Sequence, residues 1–247
     1  MKEVPKLREP VLICGLPGSG YVGKIAVEHV ITELKAGQIG ELYSYSFPPQ
    51  VVIKNDGTAE PMKNTLYALK ADGDAQDMLI FTGDSQPVTP EANYEIADKV
   101  LEIAQGMGVK QVFTLAAFVT GAFVEKPRVF GTATEIDLVR LIEKNDVIIM
   151  KEGTITGMNG VLIGVCKIRG MKGVSLLGET SGYIVDAKAS EAVLRVLSKI
   201  IGLKIDMGIL EARSKETEVV IQTIEKMRGG PAEKAREGAQ RELGYIS

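Results

Sequence analysis

Apolar positions along this chain follow two rhythms. Short unbroken runs between Pro and Gly read as strands buried on both faces, and stretches with apolar residues three and four apart read as helices with one buried side. Val11-Leu-Ile-Cys14, between Pro10 and Gly15, is the first run. Across residues 21–35 the spacing turns helical, with Val22, Ile25, Ala26, His29 and Val30 on one side and Gly37 as the stop. Residues 41–47 alternate and predict a strand that ends at Pro48-Pro49. Residues 51–53 and 65–69 read as two arms of a hairpin around Asn55-Asp56-Gly57. Residues 77–82 form another buried run, closed by Gly83-Asp84.

The second half repeats the theme. Thr89 as N-cap and Pro90 at the first helical position predict a helix whose apolar face carries Ile96, Val100, Ile103 and Met107, ended by Gly108. Residues 111–118 predict a strand, and residues 120–132, with their Gly and Pro, a connection. A helix is expected over residues 134–144, capped by Thr134 with Asp137 in its first turn, and then a short strand over 146–150. Residues 159–170 carry competing signals. Val161, Ile163, Val165 and Ile168 favour strand, whereas Asn159 as cap, Lys167 and Arg169 near the end and Gly170 as stop favour helix, which is the expectation adopted. A strand over 174–178 and a helix over 187–201 complete the body. Strands separated by helices imply an α/β fold: a mainly parallel sheet covered by helices on both faces, with an antiparallel extension near residues 50–70.

Beyond Gly208 the composition shifts. The last 37 residues hold seven basic and seven acidic side chains, with favourable pairings expected at Glu211–Lys215 and Glu237–Arg241. Leu210, Thr217 and Ile224 lie seven apart, as do Val220 and Met227, which is too short a repeat for a coiled coil. Gly229-Gly230-Pro231 divides this part into two helices, the last almost without large apolar residues. The expected organisation is a core domain over 1–208 and a helical extension over 209–247 whose tail projects.

Composition removes several kinds of chemistry. With 29 basic and 32 acidic residues, net charge −3, the 247-residue chain lacks the basic excess of a nucleic-acid binder. Two cysteines and one histidine are too few for a structural zinc site or a disulfide framework, and any histidine-based catalysis has to use His29. No apolar run approaches the about 18 residues of a membrane span, and the polar N-terminus lacks a signal-peptide core, so a cytoplasmic protein with reduced thiols is expected. Cys14 and Cys166, in apolar runs, read as buried small hydrophobes, and His29 as a half-buried residue bonded to backbone or water.

The Gly-rich segment Gly15-Leu-Pro-Gly-Ser-Gly-Tyr-Val-Gly-Lys24 is the sharpest motif. Gly18, Gly20 and Gly23 match the dinucleotide fingerprint between a strand and a helix, and Lys24 adds most of a phosphate-binding loop. Ile25 stands where such a loop needs Ser or Thr for magnesium, and Leu16-Pro17 lengthens the turn. Two readings stay open: glycines that let a helix sit close to the sheet, or an anion site made of Gly18, Gly20, Gly23 and Lys24. Ligands of open parallel sheets bind beyond the carboxyl ends of strands, which here also carry Asp84-Ser-Gln86, Thr120-Gly121 and Glu179-Thr-Ser181. Asp84 and Glu179 could form an acid–base pair or serve as caps and turn formers. At the chain end, Tyr245, Ile246 and the carboxylate of Ser247 suit a docking peptide, against the plain reading of a frayed terminus.

Taken together, Gly15-Leu-Pro-Gly-Ser-Gly-Tyr-Val-Gly23, Pro127-Arg-Val-Phe-Gly131, Gly157-Met-Asn-Gly-Val-Leu-Ile-Gly164 and Leu176-Leu-Gly-Glu-Thr180, followed by Tyr183 and Asp186, resemble the proteasome assembly chaperone family in its archaeal form. The resemblance implies a sandwich similar in layout to nucleoside phosphorylases, without a demonstrated active site, cofactor or metal. It implies homo-oligomers, with a tetramer favoured, whose C-terminal segments reach the α-ring subunits of the proteasome core particle. Core-particle activators and assembly factors often end in hydrophobic–Tyr–any, whereas here Tyr245 is third from the end and follows Gly244. The resemblance also implies a helix start near Asn159-Gly160-Val161. Two functions follow as expectations: a proteasome chaperone, adaptor or activator, or a small-anion or nucleotide-binding enzyme that uses the turn at 15–24.

Overall fold

The computed structural model describes residues 5–71 and 75–228. Its strands are β1 (Val11–Cys14), β2 (Gly37–Leu42), β3 (Val51–Ile53), β4 (Ala59–Pro61), β5 (Asn64–Leu69), β6 (Met78–Gly83), β7 (Gln111–Val119), β8 (Val129–Ala133), β9 (Ile148–Ile149) and β10 (Lys172–Thr180). Its helices are α1 (Val22–Glu33), α2 (Pro90–Gly106), α3 (Ile136–Glu143), α4 (Gly157–Ile168), α5 (Ala187–Ile201) and α6 (Gly208–Arg228).

Eight strands form one sheet in the order β2-β5-β6-β1-β7-β10-β8-β9. The central four, β6, β1, β7 and β10, are parallel. Antiparallel β5 and β8 flank them, so the sheet is parallel where it is buried and mixed toward its edges. Alternation along β1 shows why both faces need cover. Val11 and Ile13 enter the core beneath α1, α3, α5 and the start of α6, and Leu12 and Cys14 enter the core beneath α2 and α4. The expected α/β architecture, with helices on both faces, is the one observed.

Several local expectations need correction. The strand expected over 41–47 lies earlier, at Gly37–Leu42, paired antiparallel with β5 through a bulge between Gln38 and Gly40. Tyr43 to Phe47 turn instead, with Phe47 N–H donating to Ser44 O and only the Phe47 ring buried in the core. The turn around Asp56-Gly57 forms, but β3 pairs with β4, and residues 64–69 enter the main sheet between β2 and β6. Asp56 Oδ1 accepts from Thr58 N and Oγ1, which closes a tight local turn and makes the nearer segment the partner. Within the expected connection 120–132 lies β8, antiparallel to β10. Gly131 hid it: a Cβ there would sit 2.7 Å from Val147 Cγ1 and 2.9 Å from Ser175 O. Thr134 does not cap α3; Glu135 is the N-cap, and Thr134 Oγ1 accepts from Gly173 N at 3.0 Å, tying the loop to β10. The ambiguous segment is indeed helical, but α4 begins at Gly157 after Thr156, two residues before Asn159.

The first half of α6 belongs to the core: Leu210 is fully buried, and Ser214 and Thr217 are buried with it. Ser214 Oγ donates to Glu191, Glu211 pairs with Arg195 rather than Lys215, and Lys188 pairs with Glu218, which lays α6 along α5. The second expected helix, the Glu237–Arg241 pair and the tail residues Tyr245, Ile246 and Ser247 lie outside the described residues.

Candidate functional site

After β1 the chain runs through α1 and β2 toward one edge of the sheet, and after β7 it runs through β8 toward the other. The neighbours β1 and β7 therefore diverge at their carboxyl ends, the topological switch point where open α/β sheets leave a crevice. A cleft of about 450 Å³ lies there. Its walls come from the Gly-rich turn and the start of α1 (Leu16, Gly18, Ser19, Val22, Gly23), the end of β7 (Ala116 to Val119), Gln86, and the segment that opens α4 (Thr154 to Gly157, Asn159).

The Gly-rich turn is shaped by close approach. A Cβ on Gly23 would lie 1.9 Å from Leu115 O, and one on Gly15 would lie 2.2 Å from Gly23 O. Glycine at both positions lets α1 rest on β7, as the packing reading expects. Between them Ser19–Tyr21 form a single 3-10 turn, with Gly20 at φ +62°. Of the four residues weighed as an anion site, Gly18 and Gly23 line the cleft. Gly20 turns to another neighbourhood: its carbonyl accepts from Asp186 N, and a Cβ there would lie 3.1 Å from Thr180 Oγ1. Lys24 Nζ donates to Gly83 O at 2.8 Å and pairs with Glu28 at 2.8 Å. That ammonium therefore braces α1 against the end of β6.

Gln86 holds the cleft open at its rim. Its Nε2 donates to Pro17 O at 2.7 Å and its Oε1 accepts from Met158 N at 2.8 Å, joining the Gly-rich turn to the first turn of α4. Gly157, at φ +70°, completes the rim, because a Cβ there would lie 2.6 Å from Gln86 Oε1. Asn159, buried on the cleft wall, leaves Oδ1 with no partner among the described residues. None of the residues lining the cleft is ionisable. The sequence named Gln86 only as part of a strand-end loop and Asn159 only as a helix cap; their shared cleft depends on pairing between segments about 70 residues apart.

The carboxylates at the strand ends have local duties. Asp84 Oδ2 accepts from Lys63 N at 3.1 Å. Glu179 is buried and takes a two-point contact from Arg128, Nε to Oε2 at 2.8 Å and Nη2 to Oε1 at 2.6 Å. The guanidinium holds that carboxyl below its usual range, and it also lies over the Phe130 ring. Asp186 caps α5 through Ala189 N and accepts from Thr180 Oγ1 at 2.6 Å. His29 is buried and its Nε2 donates to Asp206 O at 2.7 Å, anchoring the loop before α6 to α1. Both thiols are buried; burial pushes Cys166 up to about 12 and raises Cys14 as well, so neither is a nucleophile near neutral pH.

Fold and site together define a doubly wound α/β protein whose switch-point cleft has no ionisable lining residue, with Lys24, Asp84, Glu179 and Asp186 bonded within the fold. The chain belongs to the PAC2 family, whose model matches residues 12–225. It is similar to the crystal structure of Pyrococcus furiosus PbaB, an archaeal proteasome activator, at 41% identity and a TM-score of 0.84, covering 90% of this chain and 96% of that one. Pyrococcus furiosus PbaA, an archaeal homologue of proteasome-assembly chaperone, matches at 29% identity and a TM-score of 0.74, covering 98% of both chains. The protein MJ1210 of Methanocaldococcus jannaschii is 34% identical over 249 residues, which cover all of this chain and 95% of that protein. The resemblance read from the four sequence segments therefore identified the family correctly.

Proposed function

We propose that this protein is a cytoplasmic chaperone or activator of the proteasome core particle that assembles into a homo-oligomer, with a tetramer favoured, and docks through its C-terminal extension. The observation that carries this reading is the likeness to an archaeal proteasome activator at 41% identity over 90% of the chain. The placement of α6 supports it. Arg195 and Lys188 pair with Glu211 and Glu218 and hold the first half of α6 along the body, and His29 anchors the loop before it, so the chain that follows sets out from a fixed point. Tyr245 and Ile246 then act as apolar anchors, and the carboxylate of Ser247 pairs with a basic residue on the α-ring subunits. Several tails on one oligomer raise weak single contacts through effective concentration. The body, with the buried first half of α6, supplies the interface between copies, and the rest of the 209–247 extension supplies reach.

The test is a pull-down of proteasome core particle by the full chain and by a chain lacking residues 239–247. The truncated chain is expected to keep its fold and oligomer mass and to lose the core particle. Equal capture by both chains refutes docking through the tail. Absence of capture by the full chain refutes the proteasome reading itself.

A further inference from the structure

We propose that β3 is a contact strand between copies of this chain: its outer edge pairs antiparallel with β3 of a second copy, Val52 facing Val52 across a two-fold axis, so that two β3–β4 ribbons become one continuous sheet. The proposal rests on the homo-oligomer put forward above and names one of its contacts; it does not depend on the proteasome.

The ribbon is the part of the fold least able to stand alone. β3 and β4 have three residues each and pair only with one another. A two-stranded ribbon is marginal in water, and further strands or a packed face steady it. One face of this ribbon is apolar and open. Val51 lies opposite Pro61 and Ile53 opposite Ala59, and all four residues are exposed, Val51 at 57% and Ile53 at 64%.

Hydrogen bonding across the ribbon fixes which edge is free. Lys54 N–H donates to Thr58 O, so residues 54 and 58 are a bonded pair. Alternation then turns the N–H and C=O of Val52 toward β4 and those of Val51 and Ile53 outward. Among the described residues nothing bonds those outward groups. On β4, Pro61 stands at one of the two outward positions and has no N–H to give. The ribbon therefore has one open edge and one blunted edge. The edges of the main sheet are guarded in other ways. β2 carries a bulge between Gln38 and Gly40 and the charged Glu41, and β9 is two residues long. Val51-Val52-Ile53 has none of these guards: it is an unbroken β-branched run without charge, Gly or Pro.

A second copy is the occupant this geometry selects. One antiparallel register, Val51 against Ile53 and Val52 against Val52, engages all the outward groups of both strands in ladder bonds. It sets Val51 and Ile53 side by side on the apolar face, and Lys54 opposite Gln50 rather than another lysine. Using the same edge twice closes the pair, and the Pro61 edges end the sheet on both sides, so the contact yields a two-fold pair and not a fibre.

Full-length chains would be compared by light scattering and by oxidative cross-linking. Ile53→Pro deletes an outward N–H and no bond within the ribbon. It is expected to lower the mass in solution about twofold or more while far-UV dichroism holds, and Ile53→Val is expected to keep the native mass. In the paired strands the two Val52 Cα atoms would lie about 4.5 Å apart, within disulfide reach, and those of Lys54 about 13 Å apart, beyond it. Oxidised Val52→Cys is therefore expected to run as a covalent dimer on a denaturing gel without reductant, and Lys54→Cys as a monomer; Cys14 and Cys166 are buried and stay out of the reaction. A monomeric native chain overturns the homo-oligomer and this contact with it. A multimeric native chain whose Val52→Cys variant fails to cross-link, or whose Lys54→Cys variant cross-links as well, overturns the strand pairing alone. So does an Ile53→Pro variant that keeps the native mass. Where Ile53→Pro loses structure, the cross-linking result decides.

Discussion

Gly15 and Gly23 are held by backbone carbonyls that a Cβ would strike, whereas a Cβ on Gly18, in the same ten-residue turn, would meet only Gln86 Nε2 at an ordinary 3.8 Å. Composition treats the three alike; contact does not. Gly23→Ala is therefore expected to cost about 3 kcal/mol, because either α1 or β7 has to shift, while Gly18→Ala changes stability by less than about 0.5 kcal/mol. Urea unfolding of the two variants measures the contrast. The Arg128–Glu179 contact makes a different prediction. Glu179 has its carboxyl held below its unfolded value of about 4.5, chiefly by the hydrogen bonds from Arg128. A depressed carboxyl stabilises the fold fully above that unfolded value, and the contribution is lost as pH falls through the folded value. Arg128→Ala should thus lower the melting temperature at pH 7, and the gap to the native chain should close as pH falls well below about 4. Thermal melts from pH 7 down to pH 3 follow that closure. A gap that stays constant with pH would mean that Arg128 works mainly by packing on Phe130.

Among the elements, the two threonines that looked like caps came apart. Thr89 accepts from Ala92 N and caps α2, so Thr89→Ala is expected to cost about 1 kcal/mol by urea unfolding. Thr134 bonds Gly173 in β10 because the chain there still runs beside the sheet. The same distinction explains which elements were legible. Strands β1, β6, β7 and β10 and helices α2 and α5 declare themselves, because burial on both faces or on one stripe forces a periodic pattern. Edge elements obey weaker rules. β2 holds two glycines and only one buried residue, Ile39, and exists by virtue of its bonds to β5. β8 sits behind Pro127 and Arg128 and pairs with a strand more than 40 residues away. The false strand at 41–47 arose because one buried ring, Phe47, lends a turn the look of alternation. For the hairpin, turn chemistry was readable but the partner was not, since both 59–61 and 65–69 follow the turn.

At the scale of the whole molecule, several exposed apolar side chains gather on the β3–β4 hairpin and the loops near it. Tyr45 is fully exposed, and Val88 N–H donates to Ser46 O, which places Val88 beside that loop. Val51 and Ile53 project from the β3–β4 hairpin in the segment that follows. In the homo-oligomer proposed above, such residues would lie against another copy. Tyr45→Glu combined with Ile53→Lys is expected to reduce the mass in solution by light scattering while far-UV dichroism stays unchanged. Retention of the native mass would put the interface elsewhere. By itself, the sequence determined the α/β class, the two-faced burial of the central strands and the family, because each is written in local periodicity and short motifs. Only the tertiary structure decided which strands sit at the edges, that Lys24 braces rather than binds, and that Gln86 and Asn159 share a cleft with the Gly-rich turn. Those outcomes turn on distances between segments remote along the chain, and no local pattern encodes them until the sheet has closed.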